Sequence, residues 1–388
     1  MTKKKIWAWL ALPAAILMML GACTNNTPDT TQQQPETTAG STSGVQIYFI
    51  DVGKGDASLI GLPGGHWVMV DTGPKEGFPE LGRVLLREGV THLDAVFISH
   101  GHKDHIGGLE SVLKIAEADG IYTIPDCLDD KEILNARKDF NADVKTLTAG
   151  QSVQVGDAVF QCIGPVGDYE EENDDSMVLM MDYKGTRILY TADQLATAES
   201  GLLKSGSDLK ADVLKVAYHG GAESTSAEFA KAVSPRFAVI PTDESRPAAQ
   251  RTLDALSQAG ADTYILGDTG TLFYDGQSLT KTSVPGDTVP DVSVSEKDVT
   301  AEFVTVKNNT AQTVDLSGWC LYSGKGSDTY FFPRGTALPP NGSLTVYSGK
   351  AAKSSTDGLI WTTENIWSNK KDDAAQLFDA YGRLAGTL

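Results

Sequence analysis

Asp94-Ala95-Val96-Phe97-Ile98-Ser99 runs without a break into His100-Gly101-His102-Lys103-Asp104-His105-Ile106-Gly107-Gly108, and everything else in the chain is best placed around this stretch. The first six residues are short, apolar and rich in β-branched and aromatic side chains, the pattern of a buried strand. The next six positions hold three of the six histidines in all 388 residues. A loop at the carboxyl end of a buried strand can aim several side chains into one cleft. Three imidazoles and a carboxylate packed this densely have little structural use. They offer the nitrogen and oxygen donors that zinc and similar divalent ions take.

Working outward, residues 45 to about 284 alternate short strand candidates with helical patterns. Strands are expected at 45–51, 57–61, 66–71, 94–99, 158–163, 176–183, 186–191, 212–217, 236–241 and 262–266. Helices are expected at 78–88, 107–118, 131–139, 194–205, 226–233 and 246–258. The early strands follow one another like hairpins and the later ones alternate with helices. This fits two mixed sheets flanked by helices better than one doubly wound sheet. Residues 285–293 read as a linker, with proline and no periodicity. Residues 294–388 show short strands broken by turn signals such as Pro339-Pro340-Asn341-Gly342 and no convincing amphipathic helix, which predicts a small all-β sandwich.

The amino terminus reads as an address. Lys3, Lys4 and Lys5 precede the apolar run 6–20, and Leu20-Gly21-Ala22-Cys23 follows. The run is short for a spanning helix and has the parts of a secretory signal. The last four residues resemble a bacterial lipobox, which implies a signal peptide of residues 1–22, cleavage before Cys23 and lipidation of its thiol. The product would be an extracytoplasmic, membrane-anchored lipoprotein. Residues 23–44, dominated by Thr, Gln, Ser and Pro, are expected to form a flexible tether. Cys127, Cys162 and Cys320 then remain, enough for one intramolecular disulfide at most.

Charge sets a constraint on partners. The chain has 32 Lys and Arg against 51 Asp and Glu, a formal net charge of −19. Loss of Lys3, Lys4 and Lys5 would deepen it by three. Residues 294–388 carry nine basic and ten acidic residues, so the excess lies in the first domain. Such a balance argues against holding nucleic acid by bulk electrostatics and leaves room only for a local basic groove.

The His100–Gly108 segment resembles the H-x-H-x-D-H signature of the metallo-β-lactamase superfamily, and more narrowly the hydrolase domain of the ComEC family of DNA-uptake proteins. Supporting segments run in the expected order: Phe49 to Ala57, Val70-Asp71-Thr72-Gly73, Asn173-Asp174-Asp175-Ser176, Tyr190-Thr191-Ala192-Asp193 and Leu214 to Gly221. The resemblance implies an α/β (α+β) αββα sandwich over residues 45–284, with two divalent metal ions, zinc or manganese, in the cleft between the sheets. His100 and His102 would bind the first ion, and Asp104 and His105 the second. Asp193 would bridge the two, and His219 would complete the second site. Asp104 and His219 count as catalytic on this reading. Asp71, Asp175 and Asn173 would lie behind or beside the ligands. Competing readings make Asp193 a helix cap, His219 a lone strand-end histidine and Asp71 a turn residue. Four departures stand out: no histidine occurs between His105 and His219, Lys54 replaces a glutamine, Tyr218 precedes His219 where the family pairs two histidines, and Arg246-Pro247 lacks a later histidine. They leave the first site short of nitrogen.

Residues 301–388 resemble the lamin-tail domain, an immunoglobulin-like sandwich, through Glu302-Phe303-Val304, Val314 to Trp319, Leu338 to Gly342, Ile366-Trp367-Ser368-Asn369 and Asp373 to Asp379. The resemblance implies a domain that binds substrate or cell surface, or a passive appendage. The expected activity is attack of a metal-bound hydroxide on a phosphodiester, with DNA or other nucleic acid as first substrate. The alternatives are another ester or a cell-wall phosphodiester of choline or teichoic type, and a non-catalytic binding lipoprotein.

Overall fold

The computed structural model describes residues 44–282, 288–369 and 372–388. The signal peptide, Cys23, the tether up to residue 43 and part of the linker lie outside the described residues. Two sheets dominate the first domain. One has eight strands in the order Leu279–Lys281, Leu272–Tyr274, Gln46–Phe49, Ala57–Leu62, His66–Thr72, Ala95–Ile98, Ile121–Thr123 and Val144–Thr146. The other has seven, in the order Asp262–Ile265, Phe237–Ile240, Val213–Lys215, Thr186–Tyr190, Val178–Tyr183, Ala158–Gly164 and Ser152–Val155.

Strand periodicity explains the layering. In the second sheet Leu179, Met181, Ile188, Tyr190, Val213, Phe237 and Val239 join the core shared with the first sheet. Their alternating neighbours Val178, Met180, Leu189, Leu214, Ala238 and Ile240 pack in a separate core with Leu202, Phe229, Val233 and Leu256 of the helices Ala196–Ser205, Ala227–Val233 and Gln250–Gln258. One face of each strand therefore meets a sheet and the other a helix, which a period of two requires. Phe97 and Phe160 stack at 5.1 Å and Phe49 and Tyr190 meet at 6.3 Å between the sheets.

Local chemistry moves some boundaries. The helix expected at 107–118 becomes two pieces, Lys103–Ile106 and Leu109–Leu113. Gly107 and Gly108 lie so close to the backbone carbonyls of Lys103 and Thr72 that a Cβ would come within 2.4 Å and 2.2 Å of them. The helix expected from 246 starts at Gln250, after Ala249, which is extended with φ −69° and ψ 139°; Pro247 itself accounts only for Arg246 staying out of the helix. Among the described residues no helix is long and apolar enough to cross a membrane.

The C-terminal part packs the strands Val292–Asp298, Phe303–Asn308, Ser343–Tyr347 and Leu359–Ile360 against Asp328–Phe331, Cys320–Ser323, Ala375–Phe378 and Leu384–Thr387. Trp319, Trp367, Val306, Leu321 and Phe332 fill the space between. Its first strand begins at Val292, two residues before the expected boundary, because buried Val292 already pairs with Asn308. A short helix, Gly349–Ser354, interrupts the strands. Cys127, Cys162 and Cys320 are all free and buried. The sandwich docks on the helix Phe78–Arg87. Phe78 meets Phe331 edge-on at 5.9 Å, and buried Arg83 pairs with Glu80 and reaches Cys320 Sγ.

Candidate metal centre

The ligand candidates come from the carboxyl ends of four strands. His66–Thr72 delivers Asp71, Ala95–Ile98 delivers the His100–His105 loop, Thr186–Tyr190 delivers Asp193 and Val213–Lys215 delivers His219. Within each sheet the strands concerned pair in parallel, so their ends share one edge. The turns are strained: Asp71, Ala192, Tyr218 and His219 have φ of 54°, 44°, 50° and 51°. Left-handed backbone at non-glycine residues costs on the order of 1–3 kcal/mol each and collects at functional sites.

Asp104, His105, Asp193 and His219 bring one ligand atom each to within 4.8 Å of the others, and His100, His102 and Asp193 form a second such group. In the first group His105 Nε2 lies 3.2 Å from Asp193 Oδ1, and His219 Nε2 lies 3.3 Å from both Asp193 Oδ2 and Asp104 Oδ2. Asp193 spans both groups. Helix capping does not occupy it, because the Asp174 carboxylate accepts the Leu195 and Ala198 N–H groups instead.

The far side of each ring is fixed. Asp71 Oδ2 lies 2.9 Å from His105 Nδ1 and accepts the Ser99 hydroxyl, while Asp71 Oδ1 accepts the Ser99 N–H. The Pro241 carbonyl accepts from His219 Nδ1 at 3.0 Å. Each acceptor takes an N–H hydrogen bond from Nδ1 and leaves Nε2 turned toward the cluster. Burial drives His105 toward neutrality, but Asp193 and then Asp71 outweigh it and raise its pKa to about 10. Burial pushes Asp193 up, and His105 then His219 hold it well below the carboxylate range. Asp104 is lowered too, since His219, His105 and Lys54 outweigh its burial.

These residues fit a divalent ion. His105 Nε2, Asp193 Oδ1 and His219 Nε2 are buried, converge on one point and have no hydrogen-bond partner. An unsatisfied buried polar atom costs roughly 1–3 kcal/mol, so three at one point imply a ligand that satisfies all of them. The second group is more open. His100 is buried with Nδ1 3.0 Å from Ser99 Oγ, and its Nε2 lies 3.0 Å from His102 Nδ1, a spacing two ligands of one ion can have. His102 is 39% exposed, with Nε2 3.4 Å from Glu172.

The structure does not bring Asp175 to the ligands, because its carboxylate turns away to accept the Tyr169 N–H. Asn173 leaves a buried Oδ1 without a partner. Two residues without an expected role lie beneath the cluster. Buried Lys215 forms an ion pair with buried Asp56, and Asp56 lies 3.6 Å from the Nδ1 atoms of His105 and His219. A lysine inside the apolar run Val213-Leu214-Lys215-Val216 was the available signal. The remaining histidines sit apart, His66 on Asp94 and exposed His92 near Asp119.

With the geometry in place, the similarities are specific. Residues 50–242 match the metallo-beta-lactamase superfamily, and residues 285–388 match the Lamin Tail Domain. ComE operon protein 3 of Bacillus subtilis is 28% identical over 219 residues, covering 50% of this chain and 28% of that protein. Recombination protein 2 of Haemophilus influenzae is 29% identical over 209 residues, covering 52% and 25%. The chain thus spans under a third of either relative. Among solved structures, the metallo-beta-lactamase fold protein YhfI from Bacillus subtilis matches with a TM-score of 0.43 at 15% identity, over 57% of this chain and 96% of that one. Two mixed sheets with flanking helices, ligand groups on the H-x-H-x-D-H loop and a β-rich carboxyl-terminal domain together make this chain a metallo-beta-lactamase superfamily domain followed by a lamin tail domain.

Proposed function

We propose that this chain is a metal-dependent phosphodiesterase with nucleic acid as its first substrate class, held outside the cytoplasm by a lipid on Cys23. The observation that carries the hydrolytic reading is the convergence of the unpartnered buried atoms of His105, Asp193 and His219 beside Asp104. Asp104, His105, Asp193 and His219 would hold one divalent ion, zinc or manganese, and His100, His102 and Asp193 a second. Bound there, such ions supply Lewis acidity, polarising a phosphoryl oxygen and lowering the pKa of a coordinated water.

The chain's own residues do the rest. Asp71 and the Pro241 carbonyl hold two imidazoles in one tautomer and orientation. Asp193 belongs to both groups and so ties them together. His105, Asp193 and His219 are buried, while His102 and Asp104 remain partly exposed, so solvent meets the cluster on their side. The names of the relatives, a ComE operon protein and a recombination protein, favour nucleic acid. The acidity of the first domain favours a smaller or cell-wall phosphodiester, which stands as the second reading.

The test loads the full chain with Zn or Mn and assays bis-p-nitrophenyl phosphate, single- and double-stranded DNA, RNA and a choline phosphodiester. EDTA should abolish hydrolysis and either metal should restore it. A metal-loaded protein inert toward all five would sink the proposal. For the anchor, Cys23→Ala should move the protein from the membrane fraction to the soluble fraction.

A further inference from the structure

Two partly exposed cations, Lys54 and Arg246, sit on loops beside the ligand candidates, one paired with Asp104 and the other over the ring of Tyr218 next to His219. Lys54 sits in the turn after Gln46–Phe49, and its ammonium pairs with Asp104 Oδ2 at the outer side of the buried group. It remains one-third exposed while His105 and His219 are fully buried. The turn cannot drift, because the Asp56 N–H donates to the Asp104 carbonyl at 3.0 Å. Gly55, with φ of 154°, lies where a Cβ would come within 2.6 Å of that carbonyl.

Arg246 sits in the loop after Phe237–Ile240. Its guanidinium lies 4.6 Å over the ring of Tyr218, the residue before ligand candidate His219. Its backbone is fixed by the Thr242 hydroxyl, which donates to the Arg246 carbonyl at 2.5 Å, and by its own N–H, which donates to the Asp243 carbonyl at 3.2 Å. Farther along the same loop, the Ala249 N–H donates to the Gly220 carbonyl at 2.9 Å. Asp243 then links both loops. Its carboxylate accepts from the Ser245 hydroxyl and N–H and lies against the Gly53–Lys54 turn, 3.4 Å from where a Cβ on Gly53 would stand. Among the described residues Arg246 forms no ion pair, so its charge and its planar donors are not spent on a protein carboxylate.

We infer that Lys54 and Arg246 form a cationic pair beside the metal centre that binds the phosphate of an anionic substrate. The inference rests on the phosphodiester reading above. A domain with so acidic a surface repels a phosphodiester, and cations fixed beside the ligands offset that repulsion where the substrate enters. The two side chains divide the work by chemistry. Arg presents a planar fork that matches two phosphate oxygens, and Lys acts as a compact charge near the ligand edge.

The test compares wild type with Lys54→Gln, Arg246→Ala, Arg246→Lys and the double variant Lys54→Gln/Arg246→Ala. Lys138→Gln, an exposed lysine paired only with its neighbour Asp139, is the control. The measurements are KM and kcat on bis-p-nitrophenyl phosphate, inorganic phosphate binding to metal-free protein by calorimetry, and metal per chain. Each neutralising variant should raise KM and weaken phosphate binding by about tenfold, with a smaller loss in kcat and unchanged metal content. The double variant should lose about a hundredfold, and Arg246→Lys should recover part of the Arg246→Ala loss.

Unchanged phosphate binding in the double variant overturns the pair, as does a wild type that binds no phosphate. A rise in bound metal for Lys54→Gln without weaker phosphate binding also overturns it, and makes Lys54 a counter-charge to Asp104. If wild type hydrolyses no phosphodiester but the variants bind phosphate more weakly, the functional reading fails and the pair stands.

Discussion

The two ligand groups share Asp193 and differ in everything that holds them. In the group of Asp104, His105, Asp193 and His219, each imidazole is buried and has an acceptor fixed behind it, Asp71 for one and the Pro241 carbonyl for the other. In the group of His100, His102 and Asp193, two ring nitrogens face each other at 3.0 Å and His102 opens to solvent beside Glu172. The first arrangement is preorganised, since its donors already converge with nothing to satisfy them. The second already turns His100 Nε2 and His102 Nδ1 to ligand-like spacing, but nothing holds the exposed His102 ring from behind, so its position is less fixed. The difference predicts two affinities rather than one.

The largest effect should come from the residue common to both. Asp193→Ala removes a carboxylate oxygen from each group, so metal per chain should fall close to zero and phosphodiester turnover by at least about a thousandfold. Elemental analysis and a bis-p-nitrophenyl phosphate assay read both. Retention of one tightly held ion would mean that the groups do not meet at this carboxylate.

The comparison itself is tested by one histidine from each group. His219→Ala should abolish the tight ion and cost about a hundredfold or more in turnover. His102→Ala should leave about one ion per chain and cost nearer tenfold. Metal titration of the two variants decides it, and equal losses would mean that the looser group is organised by the ion itself. Below these comes Asp71→Asn. Asparagine tolerates the left-handed backbone at φ of 54°, so the turn should survive while the hold on His105 Nδ1 weakens. Metal affinity should drop by about 10–100-fold, recoverable at high metal concentration. A loss that no metal concentration restores would make Asp71 a folding residue.

How much of this was legible follows from sequence distance. The His100–His105 loop could be read because its donors are contiguous, and the strand ends at Asp193 and His219 because apolar runs stop there. The layered fold was legible for the same reason, since alternation along Val178–Tyr183 or Val213–Lys215 is a local property. Contacts that join remote segments were not. The ion pair of Asp56 with Lys215 links residues 159 positions apart, and nothing local tells Asp56 from a turn aspartate. Among the adjacent acids Asp174 and Asp175, periodicity could not tell which would cap the helix and which would turn toward Tyr169. The Gly107-Gly108 break was misread as helix because the carbonyls that require glycine belong partly to Thr72, on another strand.

The smallest effect tests whether the sandwich reaches the tighter group. The turn from Gly73 to Gly77 lies directly behind the His105 helix: the Gly108 N–H donates to the Gly73 carbonyl at 2.8 Å, and the Thr72 hydroxyl donates to the His105 carbonyl at 3.0 Å. The same turn is gripped from the sandwich, where Lys75 Nζ donates to the Gly326 carbonyl at 2.9 Å and meets Asp328 at 2.7 Å. Both ends of that ion pair are partly exposed, at 43% and 31%, so it contributes at most about 1 kcal/mol. Lys75→Ala should therefore lower the melting temperature by no more than a few degrees and shift affinity for the tight ion by less than about threefold, leaving the His102 group untouched. The apolar contact of Phe331 with Phe78 and the seat of Arg83 remain in that variant and hold the sandwich in place. A tenfold loss confined to the tight ion would show that the hold on this turn depends on Lys75, and that the preorganisation separating the two groups is in part supplied by the lamin tail domain.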